Sequence, residues 1–374
     1  MPLKSRESPR MGSPSLQDIP ARLPAPASDT ETPAVRIFTA ADEERWDRFV
    51  LDHPEGSFFM LSGWKKVVEE TFGYRSYYFF VERNGEITGI APLFAVSNWI
   101  TGRTLISVPF GVYAGVCAAD AESENVLLHH LQNLACEQRV EYLELRSRRS
   151  EPRAAFHEIS RYVTFTAPLS ADSEANLKRL PKDTRYMIRK AQKAGLRAQR
   201  GWDQLASFFP LFAQNLQRHG TPAFPIELLR NLAAHFPQQS ELLMIYTGEK
   251  PVAGVISFFF RDTILPYYSG ASPEAPRLAA NNLLYWEAME GAAKAGMRRF
   301  DFGRSKKGTG SYEFKTQWNM NVEELQYQTY LVKRTTPPNF SPTNPGFERA
   351  IRLWKKLPLW LTMRIGPRVV RWFP

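Results

Sequence analysis

The sequence predicts an α/β fold built from one unit used twice. Three observations carry that expectation: a β-hairpin pattern that recurs, a helix opening on Asn after each hairpin, and a short alternating strand with an acid at its centre after each helix. In the first half the hairpin is Tyr74–Val81, the turn Asn84-Gly85 and Ile87–Val96. In the second it is Leu242–Tyr246, a turn near Gly248-Glu249-Lys250 and Val252–Phe260, with Gly254 in the place of Gly89. Asn125-Val126-Leu127 and Asn282-Leu283-Leu284 open the matching helices. Leu143-Glu144-Leu145 and Phe300-Asp301-Phe302 are the matching strands.

The elements follow in order. A strand at Val35–Phe38 leads into a helix over Ala40–Asp52, capped by Thr39 and striped by Trp46, Phe49 and Val50. Ser62 caps a second helix over Gly63–Thr71. After the hairpin, a strand at 103–109, a helix over Asn125–Glu137 and a strand over Val140–Arg146 complete the first unit. Pro181–Ala194 reads as a basic helix and Leu205–Gln217 as an apolar one, before the second hairpin begins. The density of Pro337, Pro338, Pro342 and Pro345 marks an extended spacer. The expected organisation is a disordered leader over 1–33, a first domain over 34–170 and a second over 171–335 that includes the basic helix 181–194. A Pro-rich spacer and a basic amphipathic tail follow over 336–374.

At about 100 to 200 residues per domain, 374 residues accommodate two domains, and 43% hydrophobic with 23% charged residues excludes global disorder. The two cysteines, Cys117 and Cys136, lack the spacing of a disulfide framework or a zinc site, so a cytoplasmic protein without a metal is expected. No run approaches the roughly 18 apolar residues of a spanning helix. The net charge of +10 is concentrated: residues 178–200 hold nine Lys or Arg against one Asp, and 346–374 hold seven against one Glu. The rest of the chain is mildly acidic, so each basic segment calls for its own anionic partner.

The richest stretch runs from Phe300 to Trp318. It reads as a strand delivering Asp301, a basic loop through Arg304 with glycines at 303, 308 and 310, and a short helix presenting Phe314 and Lys315. In the basic helix, Lys182, Arg185, Arg189 and Lys193 recur at spacings of three and four and share one face. That face fits phosphates of a small acceptor or of a tRNA equally. In the tail, Phe347, Ile351, Trp354, Leu357, Leu361 and Ile365 keep helical spacing. An interfacial helix on an anionic leaflet and a helix docked on the body are both compatible with it.

Tyr268-Ser269-Gly270, Asn282 with Leu283-Leu284, Asp301-Phe302-Gly303 and Gly310–Lys315 together resemble the FemAB family. Phe110-Gly111-Val112-Tyr113 and the Asp301–Lys315 block look most similar to its subgroup associated with exosortase and exopolysaccharide (PEP-CTERM) systems. The resemblance spans roughly 35–332 and implies tandem acetyltransferase-like (GNAT) domains with mixed central sheets flanked by helices. It also implies aminoacyl or acyl transfer to an amino group of a cell-envelope or exopolysaccharide precursor. The donor would be aminoacyl-tRNA or acyl-CoA, with no tightly bound cofactor, and the acceptor phosphorylated or lipid-linked. The setting would be the cytoplasm, extending to the inner face of the cytoplasmic membrane.

Such a reaction passes through a tetrahedral oxyanion, and a fixed cation in a dry site stabilises it by roughly 3 to 4 kcal/mol. The resemblance assigns this work to Lys315 with Phe314. Asp301 is a candidate general base or a cap on the following loop. Tyr268 would orient the acceptor, and Lys182, Arg185, Arg189, Arg304, Tyr113 and Asn282 would bind substrate. The chain departs from the GNAT pyrophosphate turn R-x-x-G-x-G/A by reading Arg277-Leu278-Ala279-Ala280-Asn281-Asn282. An acyl-CoA-dependent N-acetyltransferase and a non-catalytic membrane adaptor are the competing readings of the same fold.

Overall fold

Apolar alternation builds two eight-stranded mixed sheets. A computed structural model describes residues 32–98, 102–148, 151–337 and 345–373. Nearly all of the expected leader over 1–33 and most of the proline spacer lie outside the described residues. The chain begins with β1 (Ala34–Ile37), α1 (Glu43–Asp52), α2 (Ser62–Phe72), β2 (Arg75–Arg83), β3 (Glu86–Asn98) and β4 (Gly102–Ser107). Next come β5 (Cys117–Ala118), α3 (Ala121–Glu137), β6 (Tyr142–Arg146), β7 (His157–Ile159) and β8 (Tyr162–Pro168). The middle holds α4 (Ser173–Arg179), α5 (Lys182–Lys193), β9 (Arg197–Arg200), α6 (Leu205–His219) and α7 (Ile226–His235). The second hairpin region is β10 (Ser240–Thr247), β11 (Lys250–Phe260) and β12 (Thr263–Ala271), followed by α8 (Ala275–Leu278) and α9 (Ala280–Lys294). The chain closes with β13 (Arg299–Asp301), β14 (Ser305–Lys306), α10 (Gly310–Thr316), β15 (Asn321–Glu324), β16 (Tyr327–Leu331), α11 (Pro345–Trp354) and α12 (Leu359–Val369).

The first sheet has the order β1-β2-β3-β4-β6-β16-β7 with β5 beside β3, and the second β14-β8-β13-β12-β11-β10-β9 with β15 beside β8. The duplication is visible in the pairing. Each sheet is antiparallel except at one place, β4 with β6 and β12 with β13, and each parallel pair is joined by a crossover helix, α3 or α9. The two sheets also trade strands. β8 lies in the second sheet between β13 and β14, while β16 lies in the first between β6 and β7. Neither sheet is therefore contained within the intervals 34–170 and 171–335.

Local chemistry shifts several boundaries. The Asn84-Gly85 turn forms as expected, both residues being left-handed at φ 54° and 78°. Ser62 does not cap α2 but lies inside its first turn, donating its hydroxyl to Asp47 at 2.8 Å. Helix α3 starts four residues before Asn125, where Asp120 accepts from the Ser123 amide at 2.8 Å. Likewise α9 starts at Ala280, with Ala279 left-handed before it. In each case a nearby carboxylate or backbone turn ends the preceding loop earlier than the apolar pattern does.

The larger core is shared between the halves. Phe58 stacks on Phe258 at 4.3 Å with a 9° interplanar angle and meets Phe236 at 4.4 Å. At Gly270 a Cβ would sit 2.4 Å from the backbone nitrogen of Phe212, so only glycine lets α6 lie so close to β12. The tail also packs on the body. Gln217 donates to the Leu357 carbonyl at 2.6 Å, Tyr74 donates to the Arg371 carbonyl at 2.6 Å, and Gly366 lies against Ala223. Among the described residues no helix is long and apolar enough to cross a membrane.

Phe58 is 2% exposed, and truncating it leaves a cavity between two aromatic neighbours. Phe58→Ala is expected to destabilise the chain by about 3–5 kcal/mol, measured as a lowered urea midpoint. A midpoint unchanged from the parent would show that the halves do not depend on this contact.

Candidate active site

Strand β13 is short because it parts from β12 after two paired residues, Thr263↔Arg299 and Ile264↔Phe300. Its last residue, Asp301, is 1% exposed and faces the first half. A buried carboxylate needs partners, and this one draws them from several segments. Thr164 Oγ1 on β8 donates to Asp301 Oδ1 at 2.6 Å, and the Gly303 amide donates to the same oxygen at 2.8 Å. Tyr113 donates to Thr164 Oγ1 at 2.6 Å and lies 3.1 Å from that carboxylate oxygen. Arg148 reaches Oδ2 at 3.3 Å, pairs with Glu323 at 3.0 Å, and lies over the Tyr113 ring at 5.2 Å. Burial and the Asp301 charge push the Tyr113 phenol well above its ordinary pKa, so it remains a donor.

The turn that Asp301 caps holds Gly303 in the left-handed region at φ 70°. Its carbonyls converge on Lys315. Nζ donates to Phe302 O at 2.6 Å, Gly303 O at 3.0 Å and Arg304 O at 3.3 Å, which matches the three donors of an ammonium. Helix α10 presents this lysine because Thr309 caps it and because Phe314 packs into an aromatic group. The Phe314 ring is 5.6 Å from Tyr285 and 6.0 Å from Trp318, and Phe302 lies 4.7 Å from Tyr285. Burial draws the Lys315 pKa down to about 7. Asp301 opposes the fall and Arg304 adds to it.

Helix α5 lies beside α10, where Thr184 donates to the Gln317 carbonyl at 2.6 Å. Lys182 and Arg189 are exposed and Arg185 is partly buried, with its Nε enclosed and unpartnered. Arg304 is partly buried among phenols, with its guanidinium 4.7 Å from the Tyr162 ring and 5.9 Å from that of Tyr327. The guanidinium lies 3.5 Å from the Tyr327 hydroxyl, to which it donates. Asn282 is 9% exposed, one turn before Tyr285 on α9. A cavity of about 250 Å³ between the halves is lined by Phe58, Phe258, Tyr113, Arg148, Arg299 and Asp301.

Lys315, Phe314 and Arg304 thus share one neighbourhood, which Asp301 ties to Tyr113, and Thr184 brings α5 to the end of α10. Tyr268 stands apart. It is 6% exposed in the shared core, edge-on to Phe212 and Phe224 at 5.6 and 5.8 Å, with its hydroxyl unpartnered. The turn at Arg277–Asn282 is packed rather than open, Ala279 and Ala280 being buried in the second core. It carries alanine and asparagine where the GNAT pyrophosphate turn carries its small residues. Arg148, Thr164 and Glu323 escaped sequence reading. The signal available was a second arginine, Arg148, two residues past the end of β6, where Arg146 is already paired with Glu144.

Residues 178–316, from the basic helix to α10, match the family model of an acetyltransferase (GNAT) domain. No curated protein matches the sequence. Among solved structures the chain is similar to FemX, at 15% identity and a TM-score of 0.64, covering 85% of this chain and 100% of that one. It is similar to the C-terminal domain (DUF2156) of a protein assigned as a lysylphosphatidylglycerol synthetase from Agrobacterium fabrum, at 14% identity and a TM-score of 0.52, covering 79% and 92%. A tandem GNAT protein from the clavulanic acid biosynthesis pathway gives 10% identity and a TM-score of 0.52, covering 82% and 100%. The fold is that of two GNAT-like halves in tandem.

Two outcomes follow from this geometry. Asp301→Ala strips the acceptor from Thr164 Oγ1 and the Gly303 amide and leaves Arg148 with Glu323 alone, and is expected to cost about 1–3 kcal/mol for each buried group left unsatisfied, read as a lowered urea midpoint. The Lys315 amine loses its proton near pH 7 when folded but near 10.5 when unfolded, so the unfolded chain binds the extra proton in between. Stability therefore rises with pH across that window, and Lys315→Met removes that part of the rise when urea midpoints are compared at its two ends.

Proposed function

We propose that this protein is a FemAB-like acyltransferase that forms an amide on an amino group of a phosphorylated or lipid-linked envelope or exopolysaccharide precursor. The observation that carries the reading is a lysine ammonium held by three carbonyls, with a helix rich in Lys and Arg touching the end of α10 through Thr184. The acceptor amine attacks the acyl carbon of an ester or thioester. The new C–N bond forms, the C–O or C–S bond breaks, and the amine's proton leaves to the departing group or to water. Of the three Lys315 contacts, the one to Arg304 O is the longest at 3.3 Å. That N–H is the donor available to turn toward the developing oxyanion. Phe314 holds the helix in register for it.

Asp301 serves as a positioning residue. Its hydrogen bonds shape the 302–304 turn, and Tyr113 acts through the same network. Lys182, Arg185 and Arg189 bind phosphate of the acceptor or of a tRNA donor, and Arg304 and Asn282 contribute to substrate binding.

An acyl-CoA-dependent N-acetyltransferase is the second reading, favoured by the match of residues 178–316 to a GNAT domain. The packed alanines at 279 and 280 weigh against a CoA pyrophosphate there. Purified protein is to be incubated with labelled aminoacyl-tRNA or acyl-CoA and a membrane lipid extract. Label is expected in the lipid-linked fraction from aminoacyl-tRNA. Lys315→Ala is expected to abolish transfer while circular dichroism shows the chain still folded, and full activity in that variant would sink the assignment. Arg185→Ala with Arg189→Ala is expected to raise KM while leaving kcat nearly unchanged.

A further inference from the structure

The docked tail has a second face that the body leaves uncovered. In α12 the residues Thr362 and Gly366, continued by Val370, are buried and recur every fourth position, with Gly366 against Ala223. On the opposite side, at the same spacing, stand Trp360, Arg364 and Arg368, all exposed. Helix α11 repeats the arrangement. Ile351 sits against Gly220, while Arg349, Arg352, Leu353 and, just past the helix, Lys356 point away from it. Leu353 is 64% exposed and Trp360 66% exposed, two of the few large apolar side chains left in solvent. Glu348, paired with Arg352 at 3.7 Å, is the sole acid of residues 346–374.

We propose that this outward face of α11 and α12 binds the surface of an anionic lipid bilayer. Each helix offers one large apolar side chain among cations on its solvent side. That combination fits headgroups above and acyl chains below, whereas a phosphate backbone alone would not call for exposed Trp360 and Leu353. The apolar seats on the body keep the helices in place beforehand, so membrane binding requires no unfolding of the tail. Attachment in this way would hold the chain against a surface carrying lipid-linked acceptors, yet it does not depend on the acyl-transfer reading.

The test is co-sedimentation of the full chain with vesicles of phosphatidylglycerol in phosphatidylcholine, beside vesicles of phosphatidylcholine alone, without substrate. Binding is expected only to the anionic vesicles and is expected to fall with salt. Arg364→Ala with Arg368→Ala is expected to weaken it about 25-fold, at about fivefold per charge, and Trp360→Ala to weaken it without altering circular dichroism. Equal binding to both vesicle types, or binding indifferent to these variants, overturns the proposal. So does binding to RNA but not vesicles with the same dependence on Arg364 and Arg368, or a self-association abolished by Trp360→Ala. Transfer activity is scored separately, so loss of one reading leaves the other standing.

Discussion

A carboxylate removed from water at the end of β13 organises what surrounds it. Asp301 gathers Thr164 from β8, the amide of Gly303 and the guanidinium of Arg148, with Tyr113 behind Thr164. Bare, such a charge would cost several kcal/mol; with these partners it becomes a fixed point to which both halves are tied. The 302–304 turn inherits its shape from that point, and the three carbonyls holding Lys315 belong to the turn. The lysine's position therefore depends on groups as distant in sequence as Tyr113.

Much of the frame was legible because its causes are local. Period-two alternation and the Asn84-Gly85 turn announce the first hairpin within a dozen residues, and the second hairpin repeats the logic with Gly248 left-handed at φ 57°. The helix that carries Phe314 and Lys315 was legible because it is short, capped by Thr309 and preceded by Gly308. What escaped notice depends on distance. Thr164 meets Asp301 across 137 positions and Arg148 meets Glu323 across 175, and no local pattern marks such pairs. Tyr268 misled for a related reason. A register shift opposite Ile256 and Ser257 leaves Tyr267 as an extra residue, so both tyrosines pack against Phe258 in the shared core, and no local pattern announces that irregularity.

Lys315 illustrates how an amine can be both held and perturbed. Withdrawal from water favours the neutral form, while three carbonyls and Asp301 favour the ammonium. The balance near neutrality makes its charge responsive to whatever anion arrives, because a nearby negative charge would raise its proton affinity again. The neighbouring Arg304, surrounded by Tyr162 and Tyr327 and without a carboxylate partner among the described residues, adds a permanent positive charge beside the titratable one.

The strand exchange bears on how the chain comes off the ribosome. When β6 emerges, the strand destined to lie beside it, β16, has not been made, and β7 has no other neighbour in the first sheet. Meanwhile β8 has been made but must wait for β13, β14 and β15. An unpaired sheet edge thus persists until translation passes Leu331, and it is open to intermolecular pairing throughout. The first half can pair β1 to β6 early but keeps its β6 edge open until β16 is made, so β6 is the strand on which chaperone shielding would act.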